Sequence, residues 1–184
     1  MKRSRIFAAL VLAVITFLPA PAAQAETTKA FLAQAHEAGL TAQQAAILQD
    51  RVDGYLQQVG GRQVAANEID LYGATLRLTL PGETRVRELT AGPRAAAQVG
   101  CRYLHFCAWR DPYFVGDLIE MYECKDWSIP WLGHGSWENN QSAHTIAKFK
   151  SNDGVTRWTD GPGGSWSYDD DADWSWVHWV RNCG

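Results

Sequence analysis

The sequence lacks an apolar run long enough to hold the chain in a membrane. Its longest such run, Ile6–Leu18, has 13 residues, short of the roughly 20 that span a bilayer as a helix. Basic residues at positions 2, 3 and 5 precede the run, and Ala23-Gln24-Ala25 follows it. This order is typical of a secretory signal peptide. We therefore expect residues 1–25 to be removed and the protein to be secreted and extracellular.

An excess of positive charge is also lacking. The chain has 17 Lys and Arg against 20 Asp and Glu. Without the three basic residues of the signal, 14 remain against 20, a net charge near −6. Polyanions bind basic surfaces, so we expect no nucleic-acid partner and no membrane partner. We expect a monomer.

Local signatures of catalysis are missing as well. The chain has no His-Glu-x-x-His, no Gly-x-Ser-x-Gly, no phosphate-binding loop and no Cys-x-x-Cys. These are the spacings that metal hydrolysis, serine nucleophiles, nucleotide binding and thiol redox chemistry commonly require. The five histidines are scattered along the sequence. We therefore predict a binding protein rather than an enzyme, with no catalytic residue to assign.

Cysteine and tryptophan are absent from the first half of the mature chain. All nine Trp lie between Trp109 and Trp179 and all four Cys between Cys101 and Cys183. We predict two units, residues 26–82 and 101–184. Residues 83–100, which contain Gly92-Pro93 and no sustained periodicity, would link them.

The first unit is predicted to be a small α+β region, a helix plus a β-hairpin. Thr41 and Gln44 have capping-box spacing, and apolar residues recur at helical spacing until Gly60-Gly61, so we predict a helix over 42–59. Residues 64–71 and 75–80 flank a turn and predict a hairpin. So little structure buries little apolar surface. The unit is therefore a candidate pro-segment, intramolecular clamp or spacer.

The second unit is predicted to be an all-β C-terminal domain. Short strand-like pieces alternate with Gly, Pro, Asn and Asp. The predicted strands are 102–109, 117–123, 144–149, 155–158 and 174–181. Tryptophan would supply core volume to a sandwich of two small sheets.

The four cysteines allow three disulfide pairings. If residues 103–109 and 117–123 form a hairpin, paired positions sum to about 226. Cys101 then meets Cys124 at the open end, whereas Cys107 faces Ile119. We therefore predict the disulfides Cys101–Cys124 and Cys107–Cys183, in keeping with an oxidising compartment.

A family resemblance rests on the stretch Cys101–Gly116, followed by Tyr122 and Cys124. In its order of aromatic residues, Asp, Phe-x-Gly and Cys, it resembles the opening of small secreted actinobacterial peptidase-inhibitor domains with a βγ-crystallin fold. The resemblance implies a Greek-key sandwich and covers about half of the mature chain. The region before it resembles leader segments of secreted proteins that carry such a domain.

The resemblance also implies roles for single residues. A folded hairpin in this fold needs an aromatic residue and a glycine, here Trp109 or Phe106 and Gly116. A later serine ties the hairpin down, and Ser142 suits that role.

Calcium is the one cofactor that the resemblance suggests. The fold's calcium motif resembles two Asn or Asp, two arbitrary residues, then Ser or Thr and Ser. Residues 138–143 and 171–175 follow it only in part, and the alternative is a polar turn and a solvated acidic loop. The candidate ligands are Glu138, Asn139, Ser142, Asp171, Asp173 and Ser175.

Partner binding is predicted on the segment 127–137, where aromatic residues alternate with Pro and Gly. An exposed ridge there could enter a protease cleft or stack on sugar rings, whereas the alternative is core filling. The candidate contact residues are Trp127, Ile129, Pro130, Trp131 and Trp137. The resemblance implies inhibition of an extracellular protease, a metalloproteinase, by a rigid loop. The alternatives are a cell-wall or polysaccharide-binding module and a secreted killer-type toxin.

Overall fold

The computed structural model describes residues 21–89, 99–161 and 167–184. Two helices come first, α1 (Pro21–Glu37) and α2 (Ala42–Val59). Three strands follow, β1 (Arg62–Ala65), β2 (Glu68–Asp70) and β3 (Ala74–Arg77). The remaining strands are β4 (His105–Asp111), β5 (Val115–Met121), β6 (Asp126–Ser128), β7 (His134–Asn140), β8 (Lys148–Lys150), β9 (Thr156–Thr159), β10 (Ser167–Asp173) and β11 (Trp179–Arg181).

Helix α2 confirms the prediction from local sequence. The Thr41 hydroxyl accepts a hydrogen bond from the Gln44 backbone, and the Gln44 side chain accepts one from the Thr41 backbone. Gly60, at φ 74°, ends the helix, a conformation that glycine adopts at little cost. Helix α1 was not predicted, because the signal-peptide interpretation covered its first residues.

The predicted hairpin after α2 is a three-stranded meander. A turn at residues 66–67 divides the expected first strand into β1 and β2. Asn67 stabilises this turn from inside the protein: its buried amide donates to the carbonyl oxygens of Leu78 and Arg87. The meander therefore depends on residues far along the chain.

The meander continues the sheet of the C-terminal region. Strand β3 pairs antiparallel with β5, and Leu76 faces Ile119. The result is a seven-stranded sheet in the order β1-β2-β3-β5-β4-β7-β10. Leu76 and Leu78 belong to the same buried cluster as Phe106 and Ile119. The two sides of the predicted linker thus share one sheet and one core.

Part of the predicted linker packs on this sheet. Val86 is buried against Trp109 and Leu118, and the Thr84 carbonyl accepts a hydrogen bond from Gly116. Residues 90–98 of the linker, and the Gly92-Pro93 pair, lie outside the described residues.

A second sheet, in the order β6-β11-β8-β9, completes a mostly β structure. In the C-terminal region, strands β4 to β7 make up a first half and strands β8 to β11 a second half. Each sheet takes one strand from the other half: β10 joins β5, β4 and β7, whereas β6 joins β11, β8 and β9. Strands β6, β7 and β10 were not predicted, because their Gly, Asn and Asp residues favour turns in isolation.

The predicted disulfide pairing is wrong. The disulfides are Cys101–Cys107 and Cys124–Cys183. The β4–β5 hairpin does form, but Cys107 faces Glu120 and the pairing stops at Phe106. The chain before β4 turns back at Leu104, at φ 70°, and brings Cys101 to Cys107.

The second disulfide follows from the pairing of β6 with β11. Arg181 faces Asp126, and the same register continued by two residues brings Cys183 to Cys124. Two disulfides are typical of an extracellular or otherwise oxidising environment. Among the helices of the described part of the chain, none has the length and apolarity needed to cross a membrane.

Candidate functional site

In the first set of predicted calcium ligands, Asn139 and Ser142 make hydrogen bonds to other residues of the protein. Asn139 is buried, and its amide donates to the Asp160 carboxylate at 2.6 Å and to the Thr145 carbonyl oxygen at 3.0 Å. Glu138 precedes it on β7 and therefore lies on the opposite face of the strand. Burial raises the pKa of the Glu138 carboxyl. Ser142 is exposed and hydrogen-bonds Thr145.

The second set lies on and just after β10. Asp171 accepts a hydrogen bond from the His134 ring at 2.8 Å, and Asp173 accepts one from the Ser175 backbone at 2.8 Å. No group of three or more His, Cys, Asp or Glu within the described ranges could hold a metal ion. Calcium binding therefore stays a prediction, with no described cluster to support it.

The predicted aromatic ridge is not exposed, so this prediction is corrected. Trp127, Ile129, Trp131 and Trp137 are only 4–6% exposed, and Pro130 is half-buried. These side chains fill the core because a short sandwich has few other large apolar residues to pack between its sheets. Core filling, the alternative interpretation, describes them.

The serine that holds the β4–β5 hairpin is Ser136, not Ser142. Its hydroxyl donates to the Asp111 carbonyl oxygen and accepts from the Phe114 backbone, both at 2.9 Å. Trp109 packs edge-on against Phe114 with ring centroids 5.2 Å apart. Gly116 has a positive φ of 82°, a conformation that favours glycine, and a Cβ at this position would also meet the Asp111 carboxylate.

A buried carboxylate joins α2 to the sheets. Asp117 is fully buried. It accepts hydrogen bonds from Arg51 at 2.6 Å, from the Tyr55 hydroxyl at 2.8 Å and from the Thr79 backbone at 2.9 Å. Burial, and then the negative charge of Asp117, raise the pKa of Tyr55. These contacts join residues on the two sides of the predicted linker, residues 83–100. No feature of the sequence predicted them.

The loop from Ile129 to Gly133 presents one apolar side chain to solvent. Leu132 is 80% exposed. The loop is fixed on both sides of it: the Trp131 indole donates to the Tyr55 hydroxyl at 2.9 Å, and the Gly133 carbonyl oxygen accepts from the Trp174 backbone at 2.7 Å. We call residues 129–133 the display loop.

A second feature is a cavity of about 200 Å³ bounded by β7, β8, β9, β10 and the segment before β11. We call it the aromatic pocket. Five aromatic and two acidic side chains contribute to its lining: Trp137, Phe149, Trp158, Trp174, Trp176, Asp169 and Asp173.

The rings of the aromatic pocket are inclined to one another. The ring centroid of Trp158 lies 5.6 Å from that of Trp137, with an interplanar angle of 57°. It lies 4.8 Å from the ring centroid of Phe149, with an interplanar angle of 72°. Trp158 is 45% exposed, whereas Trp137 and Phe149 are buried behind it. Its ring thus connects the core with solvent.

Both acidic side chains of the aromatic pocket are exposed. Asp169 accepts a hydrogen bond from the Asp171 backbone at 3.0 Å. Hydrogen bonds from the side chain and backbone of Ser175 lower the pKa of Asp173, so its carboxylate is ionised at neutral pH. The acidic run was visible in the sequence. Its position beside Trp158 depends on the tertiary structure, because β9 and β10 are the edge strands of two different sheets.

Comparison of this chain with family models, curated proteins and solved structures finds no match. The display loop and the aromatic pocket are the features of the structure that bear on its function.

Proposed function

We propose that this protein is an extracellular inhibitor of a peptidase and that the display loop enters the peptidase cleft. The observation that carries the proposal is Leu132, an exposed apolar side chain between the buried Trp131 and the half-buried Gly133, both of which are hydrogen-bonded. A rigid loop loses little conformational entropy on binding, which favours affinity. An apolar side chain that fills a specificity pocket can dominate such an interface.

The strand order supports a βγ-crystallin-like Greek-key arrangement for the domain that carries the loop. Within the C-terminal region, each sheet takes three strands from one half and one from the other, and Ser136 holds the first hairpin. The resemblance of Cys101–Gly116 to secreted peptidase-inhibitor domains is consistent with this arrangement.

The test is an inhibition assay against secreted metalloendopeptidases that cleave beside bulky apolar residues. We expect the inhibition constant of Leu132→Asp to be at least about tenfold weaker than that of the unmodified protein, with an unchanged melting temperature. Tyr103→Ala is the control, because Tyr103 is 67% exposed and lies outside the loop. Equal inhibition by Leu132→Asp and the unmodified protein would exclude the display loop as the part of the protein that inhibits the peptidase.

A second candidate function, binding of a cell-wall polysaccharide, is favoured by the partly exposed Trp158 ring. Sugar rings stack on exposed aromatic faces, and carboxylates such as Asp169 accept hydrogen bonds from hydroxyl groups. Retention on insoluble peptidoglycan or chitin, lost in Trp158→Ala, would support this function. Retention that is unchanged in that variant would exclude the pocket as the cause.

A further inference from the structure

We propose that the aromatic pocket binds an organic cation, an ammonium group that carries small alkyl substituents. The proposal does not rest on the peptidase-inhibitor function, because the display loop and the aromatic pocket present different side chains.

The shape of the aromatic surface suits a cation. A cation is attracted to the face of an aromatic ring, and most strongly to that of tryptophan. Trp158 is inclined by 57° to Trp137 and by 72° to Phe149, so the rings form an angled wall rather than a flat stack. Trp176 also lines the cavity and is only half-buried. Trp137, Phe149 and Trp174 are at most 4% exposed, so a rounded group in the pocket would pack against the two more accessible rings, Trp158 and Trp176.

The charge of the pocket lining also favours a cation. Asp169 and Asp173 place two carboxylates at the lining of the pocket. Among the described residues, no Lys or Arg forms an ion pair with either of them. A cation in the pocket would pair with these charges in a site partly shielded from water, where the attraction is stronger than in bulk solvent.

Two basic side chains, Arg157 and His134, neighbour residues of the pocket in sequence or by strand pairing. Arg157, next to Trp158 in the sequence, pairs with Asp153 at 2.6 Å. His134 hydrogen-bonds Asp171, but it also faces Asp173 across the β7–β10 pair, where its charge contributes to the lowered pKa of Asp173. The lining therefore combines aromatic rings with two carboxylates, of which His134 faces one, and this combination complements a cation better than a neutral or anionic ligand.

The volume of the pocket matches a small cationic group. A dry apolar cavity of about 150 Å³ holds benzene in another protein, so about 200 Å³ accommodates a group slightly larger than that ring. Whole drug-sized ligands generally need at least about 300 Å³. The pocket thus fits the head group of a ligand, such as a trimethylammonium group, rather than an entire large molecule.

The experiment is a calorimetric titration of the full protein at low ionic strength with choline. The control ligand is the neutral isostere of choline, in which a carbon atom replaces the nitrogen. We expect choline to bind at least about tenfold more tightly than its isostere, and added salt to weaken only the binding of choline. Equal affinity for the two ligands would overturn the proposal. The absence of any heat of binding at the highest choline concentration would also overturn it.

Variants place the binding in the pocket. Trp158→Ala and the double variant Asp169→Asn, Asp173→Asn should each weaken choline binding by about tenfold or more. Tyr103→Ala and Asp50→Asn are the matched controls, because both residues are exposed and lie outside the pocket. Near-ultraviolet circular dichroism checks each fold, and the double variant, which removes no ring, provides the test if Trp158→Ala is unfolded.

Each remaining outcome distinguishes this proposal from the others. Unchanged choline affinity in both pocket variants would overturn the proposed site. Binding of neutral chitin or peptidoglycan oligosaccharides, without binding of choline, would overturn the cation and support the second candidate function. Failure of peptidase inhibition would leave the choline titration unaffected, because that assay reports on Leu132 alone.

Discussion

Ser136 shows how one hydroxyl can hold a folded hairpin. It is fully buried and serves as donor to Asp111 and as acceptor for Phe114 across the β4–β5 turn. Tyr113 and Phe114 both have positive φ values in this turn, a conformation that is unfavourable for non-glycine residues. The hydrogen bonds of Ser136 therefore stabilise backbone that the local sequence does not favour.

Replacement of this hydroxyl should be costly. We predict that Ser136→Ala lowers the free energy of unfolding by about 1–3 kcal/mol, because it leaves polar backbone groups without a partner. Ser142→Ala, at the exposed serine first expected to have this role, should change it by less than about 0.5 kcal/mol. Urea denaturation measures both values. A larger loss for Ser142→Ala would contradict the assignment.

Asp153 gives a pH-dependent prediction at the β8–β9 turn. Hydrogen bonds from the Ser151 side chain and the Val155 backbone, with a smaller contribution from Arg157, lower its pKa below the usual 3.8. A depressed carboxyl pKa stabilises the fold above the pKa of the unfolded chain, and the effect is lost as the pH falls through the pKa of the folded state.

We therefore expect Asp153→Asn to melt at a lower temperature than the unmodified protein at pH 7, and the difference to vanish well below pH 3.8. Melting curves at a series of pH values provide the measurement. A difference that persists undiminished in strong acid would show that the charge of Asp153 is not its cause.

At the scale of elements, strand pairing decides which cysteines meet. Cys124 and Cys183 follow from the register of β6 with β11, and β6 has only three residues. Cys101 does not meet Cys124 because the β4–β5 pairing ends at Phe106 and the chain turns at Leu104 before it reaches Cys101. A pairing inferred from one hairpin could not include a strand that the sequence did not reveal.

The two disulfides should differ in their contribution to stability. The cysteines of Cys101–Cys107 are 6 residues apart and those of Cys124–Cys183 are 59 apart. The entropy of loop closure predicts stabilisation of about 2 kcal/mol for the short loop and about 4 kcal/mol for the long one. Urea denaturation of the two double cysteine-to-alanine variants measures this. A greater loss on removing the short loop would contradict the prediction.

At the scale of the whole molecule, the N-terminal region is part of the fold. Strand β3 covers the backbone edge of β5, and the Arg51 and Tyr55 side chains of α2 satisfy the buried Asp117 carboxylate. A chain that begins at residue 99 would expose an unpaired strand edge and leave a buried charge with fewer partners. Both changes are unfavourable.

We predict that the isolated segment 99–184 aggregates or melts well below the full chain. Size-exclusion chromatography with light scattering, and melting curves of both forms, provide the test. A monomeric segment with the melting temperature of the full chain would contradict the prediction. That result would restore the interpretation of residues 26–82 as a pro-segment that can be removed without loss.

Local spacing was enough to predict some elements of this protein. The capping box and its following periodicity predicted α2 to the residue, and two runs around Pro112–Gly116 predicted the β4–β5 hairpin. The candidate site was much less accessible. The sequence places Trp158 on a strand without a role, and it makes Asp173 a candidate calcium ligand with a solvated acidic loop as the alternative.

The sequence by itself determined the class of the protein: a largely β chain with tryptophan in its core and paired cysteines, preceded by a capped helix. Composition and spacing suffice for these features because they depend on neighbouring residues. The tertiary structure alone decided the disulfide partners, the role of Ser136, the burial of the 127–137 aromatics and the union of both regions in one sheet. These depend on which distant strands pair, and that choice is made by the packing of the whole chain rather than by any one segment.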